Sequence, residues 1–153
     1  MAMNMNMTLS ACESKPQQGE IKMCTTSIQG MIEFVLSNLG SSDNVELVFH
    51  PAFKADSGKK ARMSKVVERL SGHSNLPPLA CHRFVYPYGV FYCHSINGTS
   101  TFTMELEVLE NNGNIYNATA LCHPKTNRYS KESPYCHLFA GDSLLWLTKE
   151  KHY

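Results

Sequence analysis

The chain has 153 residues, 42% of them hydrophobic, and a formal net charge of +1, which suits one domain with one core and is too little for two. A balance this close to neutral offers no basic footprint for nucleic acid and no polybasic patch for a membrane surface. No apolar run approaches the roughly 20 residues that span a bilayer, and the opening MAMNMNMTLSACESK has neither the cationic start nor the apolar centre of a signal peptide.

In chain order, residues 1–23 are polar, methionine-rich and broken by Pro16 and Gly19, and are read as an N-terminal arm anchored by Cys12; residues 24–153 are read as the domain. Thr26 with Gln29 resembles a capping box, and Ile28, Met31, Ile32, Val35 and Leu39 recur at helical spacing before Gly40. The pattern predicts a helix whose apolar stripe packs on the core, with Gly30 in its interior costing about 1 kcal/mol relative to alanine. SSDN then turns the chain and residues 45–49 read as a short strand. Residues 51–62 read as a solvated loop, 65–70 as either a strand or a helical turn, and SGHSNLPP as a loop. His50 and His73 are read as surface histidines.

The remainder reads as β-structure. LACHRF and GVFYCHSI flank Tyr86-Pro87-Tyr88-Gly89, which predicts two adjacent antiparallel strands. Phe102, Met104, Leu106 and Val108 alternate with Thr101, Thr103, Glu105 and Glu107, a strand with one buried and one wet face. Residues 111–114 form a turn, Ile115 to His123 returns as a strand, and residues 124–134 read as a loop. Tyr135 to Phe139 and Leu144 to Leu147 supply two more strands around a Gly141-Asp142 turn. The sum is an α+β domain, mainly antiparallel β with one N-terminal helix and held as a single domain by disulfides.

Chemistry concentrates between Cys81 and His137, where the dipeptide Cys-His occurs four times, at Cys81-His82, Cys93-His94, Cys122-His123 and Cys136-His137. Neighbours on a strand point to opposite faces, so each pair can put sulfur on one side and imidazole on the other. With Cys12 and Cys24 the cysteines form an even set of six, for which fifteen complete pairings are open; whether Cys81 meets Cys93 depends on strand register. Imidazole suits copper, zinc and nickel, and copper is favoured if the thiols are consumed as disulfides. The alternative is two zinc ions held by thiolates and imidazoles in a reducing cytosol, for which directly adjacent ligands have poor spacing. Asn6, Asn97 and Asn117 head N-x-S/T sequons usable only in the secretory pathway. Secretory signs without a signal peptide lead us to expect an incomplete N-terminus or a piece of a longer product.

CHRFVYPYGVFYCH, followed by ALCH and PYCHLF, resembles the BURP domain of plant proteins, whose signature is four Cys-His dipeptides. Upstream, Cys12-Glu13, then Gly19-Glu20-x-Lys22-x-Cys24 and the helix from Thr26, is similar to the segment that precedes that signature. CHLFAGDSLLWL is similar to its closing strand, so the likeness runs from about Met7 to Trp146. The resemblance implies a secreted or vacuolar plant protein, of the apoplast or cell wall, tied to development or stress responses. It also implies His82, His94, His123 and His137 as copper ligands and Cys12, Cys24, Cys81, Cys93, Cys122 and Cys136 as disulfide cysteines. Some members are copper-dependent cyclases that crosslink tyrosine or tryptophan side chains of ribosomal peptides, which would make a precursor peptide the partner; a cell-wall component is the other.

Two features depart from the family pattern. Its phenylalanine-rich start is absent, and twelve residues separate His123 from Cys136 where the family has about twice as many. An Asp-Thr-Ser-x-Trp stretch normally falls there; this chain keeps Thr126 and has Tyr129 in place of the tryptophan. These departures favour a truncated, non-catalytic or degenerate member over a cyclase acting on a separate peptide, and place the expected fault at Cys136-His137. Tyr86, Tyr88 and Tyr92 are candidates for stacking on a substrate, with aromatic strand packing the stronger reading.

Overall fold

The computed structural model describes residues 2–48, 61–70, 76–109, 114–124, 135–139 and 142–149. They form α1 (Ala2–Glu13), β1 (Glu20–Thr25), α2 (Ile28–Leu39), β2 (Val45–Val48), β3 (Ala61–Arg69), β4 (Leu79–Phe84), β5 (Val90–Ile96), β6 (Ser100–Val108), β7 (Ile115–His123), β8 (Tyr135–Leu138) and β9 (Leu144–Thr148). All strand pairs are antiparallel, in a five-stranded sheet ordered β1-β5-β4-β9-β2 and a four-stranded sheet ordered β3-β6-β7-β8. The α+β class with a dominant antiparallel β component is as expected from sequence; a second helix is added. Residues 51–60, 111–113 and 125–134, expected as loop or turn, and His50 and His73 lie outside the described residues.

The expected arm is structured. Residues 2–13 contain no proline or glycine and several good helix formers, so the breakers Pro16 and Gly19 follow a helix, α1, and do not preclude one. Thr8 is buried and its hydroxyl donates to the Val85 carbonyl at 3.0 Å. Cys12 bridges Cys24, and Lys22 Nζ donates to the Ala11 carbonyl at 2.6 Å and Ser14 Oγ at 2.7 Å. These contacts clamp α1 to β1, which is itself an edge strand of the larger sheet.

Helix α2 is capped by Ser27 and not by Thr26: Ser27 Oγ accepts the Gly30 N–H at 3.0 Å. Gly30 has a steric reason, since a Cβ there would meet Thr25 Oγ1 at 2.7 Å. Met31, Val35 and Leu39 face inward onto Leu79, Cys81 and Cys93. Ile28 and Ile32 of the expected stripe are 73% and 41% exposed, because positions four apart stack in one row and their row turns away from the sheet. Of the ambiguous 65–70 segment, residues 65–69 are strand within β3, which also takes in Ala61 and Arg62 from the end of the expected loop.

The period-2 alternation of β4 divides the larger sheet. Cys81 faces α2, whereas Ala80 faces the other way and joins Leu145, Leu147 and Leu121 of β7 in a second cluster. Leu121 belongs to the smaller sheet, so this cluster is where the sheets meet. On β6, Met104, Leu106 and Val108 are buried as the alternation predicts; Thr101, expected on the wet face, is fully buried instead, opposite Leu121.

Candidate metal centre

Strand register converts the four dipeptides into paired sulfurs and paired imidazoles. Cys81 lies directly opposite Cys93 and Cys122 directly opposite Cys136, and both pairs are bridged. With Cys12–Cys24 this selects one of the fifteen pairings and leaves no free cysteine. The thiolate–zinc alternative therefore loses its sulfur ligands.

Each histidine, one residue beyond its cysteine, points from the opposite face into the space between the sheets. His82 and His94 come from β4 and β5, His123 and His137 from β7 and β8. Their rings form a closed cycle, with centroids 5.4 Å apart for His82–His94, 5.5 Å for His94–His123, 5.3 Å for His123–His137 and 5.7 Å for His137–His82. His137, which follows the shortened spacing, is the fourth member of this cycle. His94 and His123 are buried, at 4% and 3% exposed, while His82 and His137 are half-buried and form the open side. Phe139 and Tyr135 flank that side, 5.6 Å from His82 and 5.7 Å from His137.

The ring nitrogens are sorted. The Nδ1 atoms turn outward: His82 to Ser143 Oγ at 3.4 Å, His94 to Glu20 Oε1 at 3.3 Å, His123 to Thr99 Oγ1 at 3.0 Å and His137 to the Leu138 carbonyl at 3.2 Å. The Nε2 atoms of His123 and His137 turn toward each other, 3.2 Å apart. Because a carbonyl only accepts, His137 donates its Nδ1–H and keeps a bare Nε2. Burial pushes the His82 imidazolium down to about 3 and His123 to about 4, with the neighbouring imidazoles adding repulsion; His137 is lowered for the same first reason. These three rings are therefore neutral at pH 7, the form that ligates a metal.

Glu20, not singled out in the sequence, completes the surroundings. Burial raises its pKa, but hydrogen bonds from His94, the Gln17 N–H and the Tyr92 hydroxyl outweigh that, bringing it to about 2. Tyr92 Oη donates to Glu20 Oε1 at 2.8 Å, and its ring stacks on Phe84 at 5.1 Å. Tyr92 is thus a packing and hydrogen-bonding residue, at 5% exposed, with no face for a substrate. Tyr86 and Tyr88 pack edge-on against each other at 4.8 Å.

The donor set, four imidazoles and no free thiol, fits a metal ion in kind. Ligand nitrogens about 2.0 Å from one ion in tetrahedral array lie about 3.3 Å apart and their ring centroids about 5 Å apart. The His123–His137 nitrogens match that spacing, and the four centroid separations around the cycle are wider by a few tenths of an ångström. Among the described residues no group of three or more His, Cys, Asp or Glu side chains is placed so that it could hold a metal ion without rearranging. Asn6 on α1, Asn97 in the β5–β6 turn and Asn117 on β7 are all exposed, and no described helix is long and apolar enough to cross a membrane.

The BURP domain family model matches residues 1–148. The chain is 26% identical over 157 residues to BURP domain-containing protein 16 of Oryza sativa subsp. japonica, covering 94% of the chain and 44% of that protein. Identity is 30% over 161 residues to BURP domain-containing protein 17 of the same species, covering 95% and 27%. It is 29% over 160 residues to BURP domain protein RD22 of Arabidopsis thaliana, covering 94% and 39%. The chain thus spans less than half the length of each of these three relatives.

Proposed function

The chain belongs to the BURP domain family of plant proteins, and from that premise we propose that it binds one copper ion through His82, His94, His123 and His137. In this reading it works in the secretory pathway or cell wall, in development or stress responses, without turnover of its own. The observation that carries the reading is the closed cycle of four imidazoles whose Nδ1 atoms are all engaged outward. Bound copper would supply one-electron chemistry; the chain's own part is to fix four nitrogens and to keep His82, His123 and His137 neutral. An oxidising compartment is supported by the use of all six cysteines in bridges. Asn6, Asn97 and Asn117 are the positions where glycans would attach there. The non-catalytic character rests on what the shortened His123-to-Cys136 connection omits, the family's Asp-Thr-Ser-x-Trp stretch, and not on loss of the fourth imidazole.

The test is a copper titration of the oxidised protein followed by electron paramagnetic resonance. One equivalent should give a nitrogen-rich signal that a His82→Ala, His94→Ala double variant loses. Equal binding by both proteins sinks the assignment.

A second reading, a copper-dependent cyclase acting on a separate precursor peptide, draws support from the half-buried His82 and His137 with Phe139 and Tyr135 beside them. Incubation with tyrosine- or tryptophan-containing peptides, copper and oxygen would distinguish the two. A loss of two hydrogens by mass establishes turnover, and an unchanged mass leaves the non-catalytic reading standing.

A further inference from the structure

Building on the four-imidazole centre proposed above, we infer that Glu20 is a positioning residue of that centre. It holds His94 as the Nδ1–H tautomer with its Nε2 lone pair turned inward, and Tyr92 holds Glu20 in place. The Glu20 side chain is wholly buried and that of His94 is 4% exposed. Both carboxylate oxygens are engaged: Oε2 accepts the Gln17 N–H at 2.9 Å, and Oε1 accepts the Tyr92 hydroxyl at 2.8 Å and His94 Nδ1–H at 3.3 Å. A carboxylate surrounded by donors has no hydrogen to give, so His94 must donate. A neutral imidazole has one N–H; spending it on Nδ1 leaves Nε2 bare for a metal.

Position follows from register. Lys22 of β1 lies opposite His94 and Glu20 lies opposite Ile96, so Glu20 shares the face of His94 and approaches it diagonally. The same face of β1 carries Cys24 and Lys22, which tie it to α1. The N-terminal segment is therefore what delivers the carboxylate to the centre. The partners seen at the other three Nδ1 atoms, Ser143, Thr99 and the Leu138 carbonyl, are neutral oxygens. A carboxylate makes its imidazole the more basic donor, so His94 is the strongest of the four ligands and the centre is electronically asymmetric.

Two measurements test this on the full chain with its disulfides intact. Imidazole nitrogen–proton correlation spectra of the metal-free protein at neutral pH should show His94 protonated at Nδ1; protonation at Nε2 overturns the inference. Copper titration of Glu20→Ala should show affinity lowered about 10–100-fold with an altered paramagnetic spectrum. Glu20→Gln, which keeps an acceptor and the side chain's size, should recover the wild-type tautomer and much of the affinity. Tyr92→Phe should fall between Glu20→Gln and wild type. Folded Glu20→Ala protein with wild-type affinity and spectrum overturns the inference, and if that variant does not fold, Glu20→Gln and the wild-type tautomer still decide it. Were the wild type to bind no copper, the four-imidazole proposal would fall, while the His94 tautomer would still report whether Glu20 orients that ring.

Discussion

Removing the Cys122–Cys136 bridge is expected to damage the metal centre, whereas removing Cys81–Cys93 is expected to damage mainly the core. The two bridges span similar separations, 14 and 12 residues, so the chain-entropy view assigns each about 3 kcal/mol of restraint on the unfolded chain. Where the loss falls differs. Strand β8 is a four-residue edge strand with four register partners on β7, and Tyr135 and Leu138 on it are each 43% exposed. Backbone hydrogen bonds contribute a net of about 0.5–1.5 kcal/mol each, so without the sulfur link β8 can separate while the rest stays folded, taking His137 with it. If the whole restraint falls on that opening, copper affinity drops by at most roughly a hundredfold, at 1.4 kcal/mol per tenfold. Strand β4, by contrast, has six partners on β5 and three on β9, and Cys81 and Cys93 are fully buried. The assay is copper titration against a competing chelator, with nitrogen ligands counted by paramagnetic resonance. Cys122→Ser, Cys136→Ser should lose one nitrogen and at least tenfold in affinity, and Cys81→Ala, Cys93→Ala should keep four nitrogens with a lower melting temperature. A Cys122→Ser, Cys136→Ser protein with four nitrogens and unchanged affinity would refute the reasoning.

Acid should destabilise the metal-free protein. The folded pKa values of His82 and His123, about 3 and about 4, lie below the free value of 6.5, so the folded state binds fewer protons than the unfolded one. Their contribution is complete above pH 6.5 and is lost as pH falls toward 4 and then 3. Glu20, lowered from 4.5 to about 2, adds a second loss between those values; a melting temperature constant from pH 7 to 4 would contradict the histidine contribution, and one constant from pH 4 to 2 the Glu20 contribution. Leu145→Ala, at a fully buried position where the sheets meet, should cost about 2–5 kcal/mol in denaturant unfolding, against under 1 kcal/mol for Ile28→Ala at its exposed position. Gly30→Ala should lower stability in spite of alanine's better helix propensity, because the new Cβ meets Thr25 Oγ1; a rise in melting temperature would show that Thr25 moves aside.

What was legible in the sequence followed repetition and period. Four adjacent Cys-His pairs and the 101–108 alternation identify strands and two-faced chemistry before any coordinate is known, and Tyr86–Gly89 marks the β4–β5 hairpin. Cysteine pairing was not legible, because it depends on register, which a turn sequence alone leaves open. Helix α1 was missed because Pro16 and Gly19 lie close behind it and its polar residues show no apolar stripe. Glu20 was present in the quoted Gly19-Glu20-x-Lys22-x-Cys24 stretch, yet nothing local marks a strand glutamate as buried. Its partners, Tyr92 and His94, lie more than seventy residues away, and only the β1–β5 pairing brings them together.

The short connection before Cys136 also gains a physical explanation. A one-residue slip of β8 on β7 would turn His137 to the opposite face, so its placement depends on register and not on loop length. Register is held where Cys122 lies opposite Cys136, and adjacency within the dipeptide then carries that register to the imidazole. Loop closure varies only as the logarithm of length, about 0.6 kcal/mol per doubling, so halving the connection costs the fourth ligand little. Inserting about ten glycine and serine residues between His123 and Cys136 should therefore shift stability by less than about 1 kcal/mol and leave the copper spectrum unchanged. A changed nitrogen count with the bridge intact would mean that the connection itself, and not the sulfur pair, sets the position of His137.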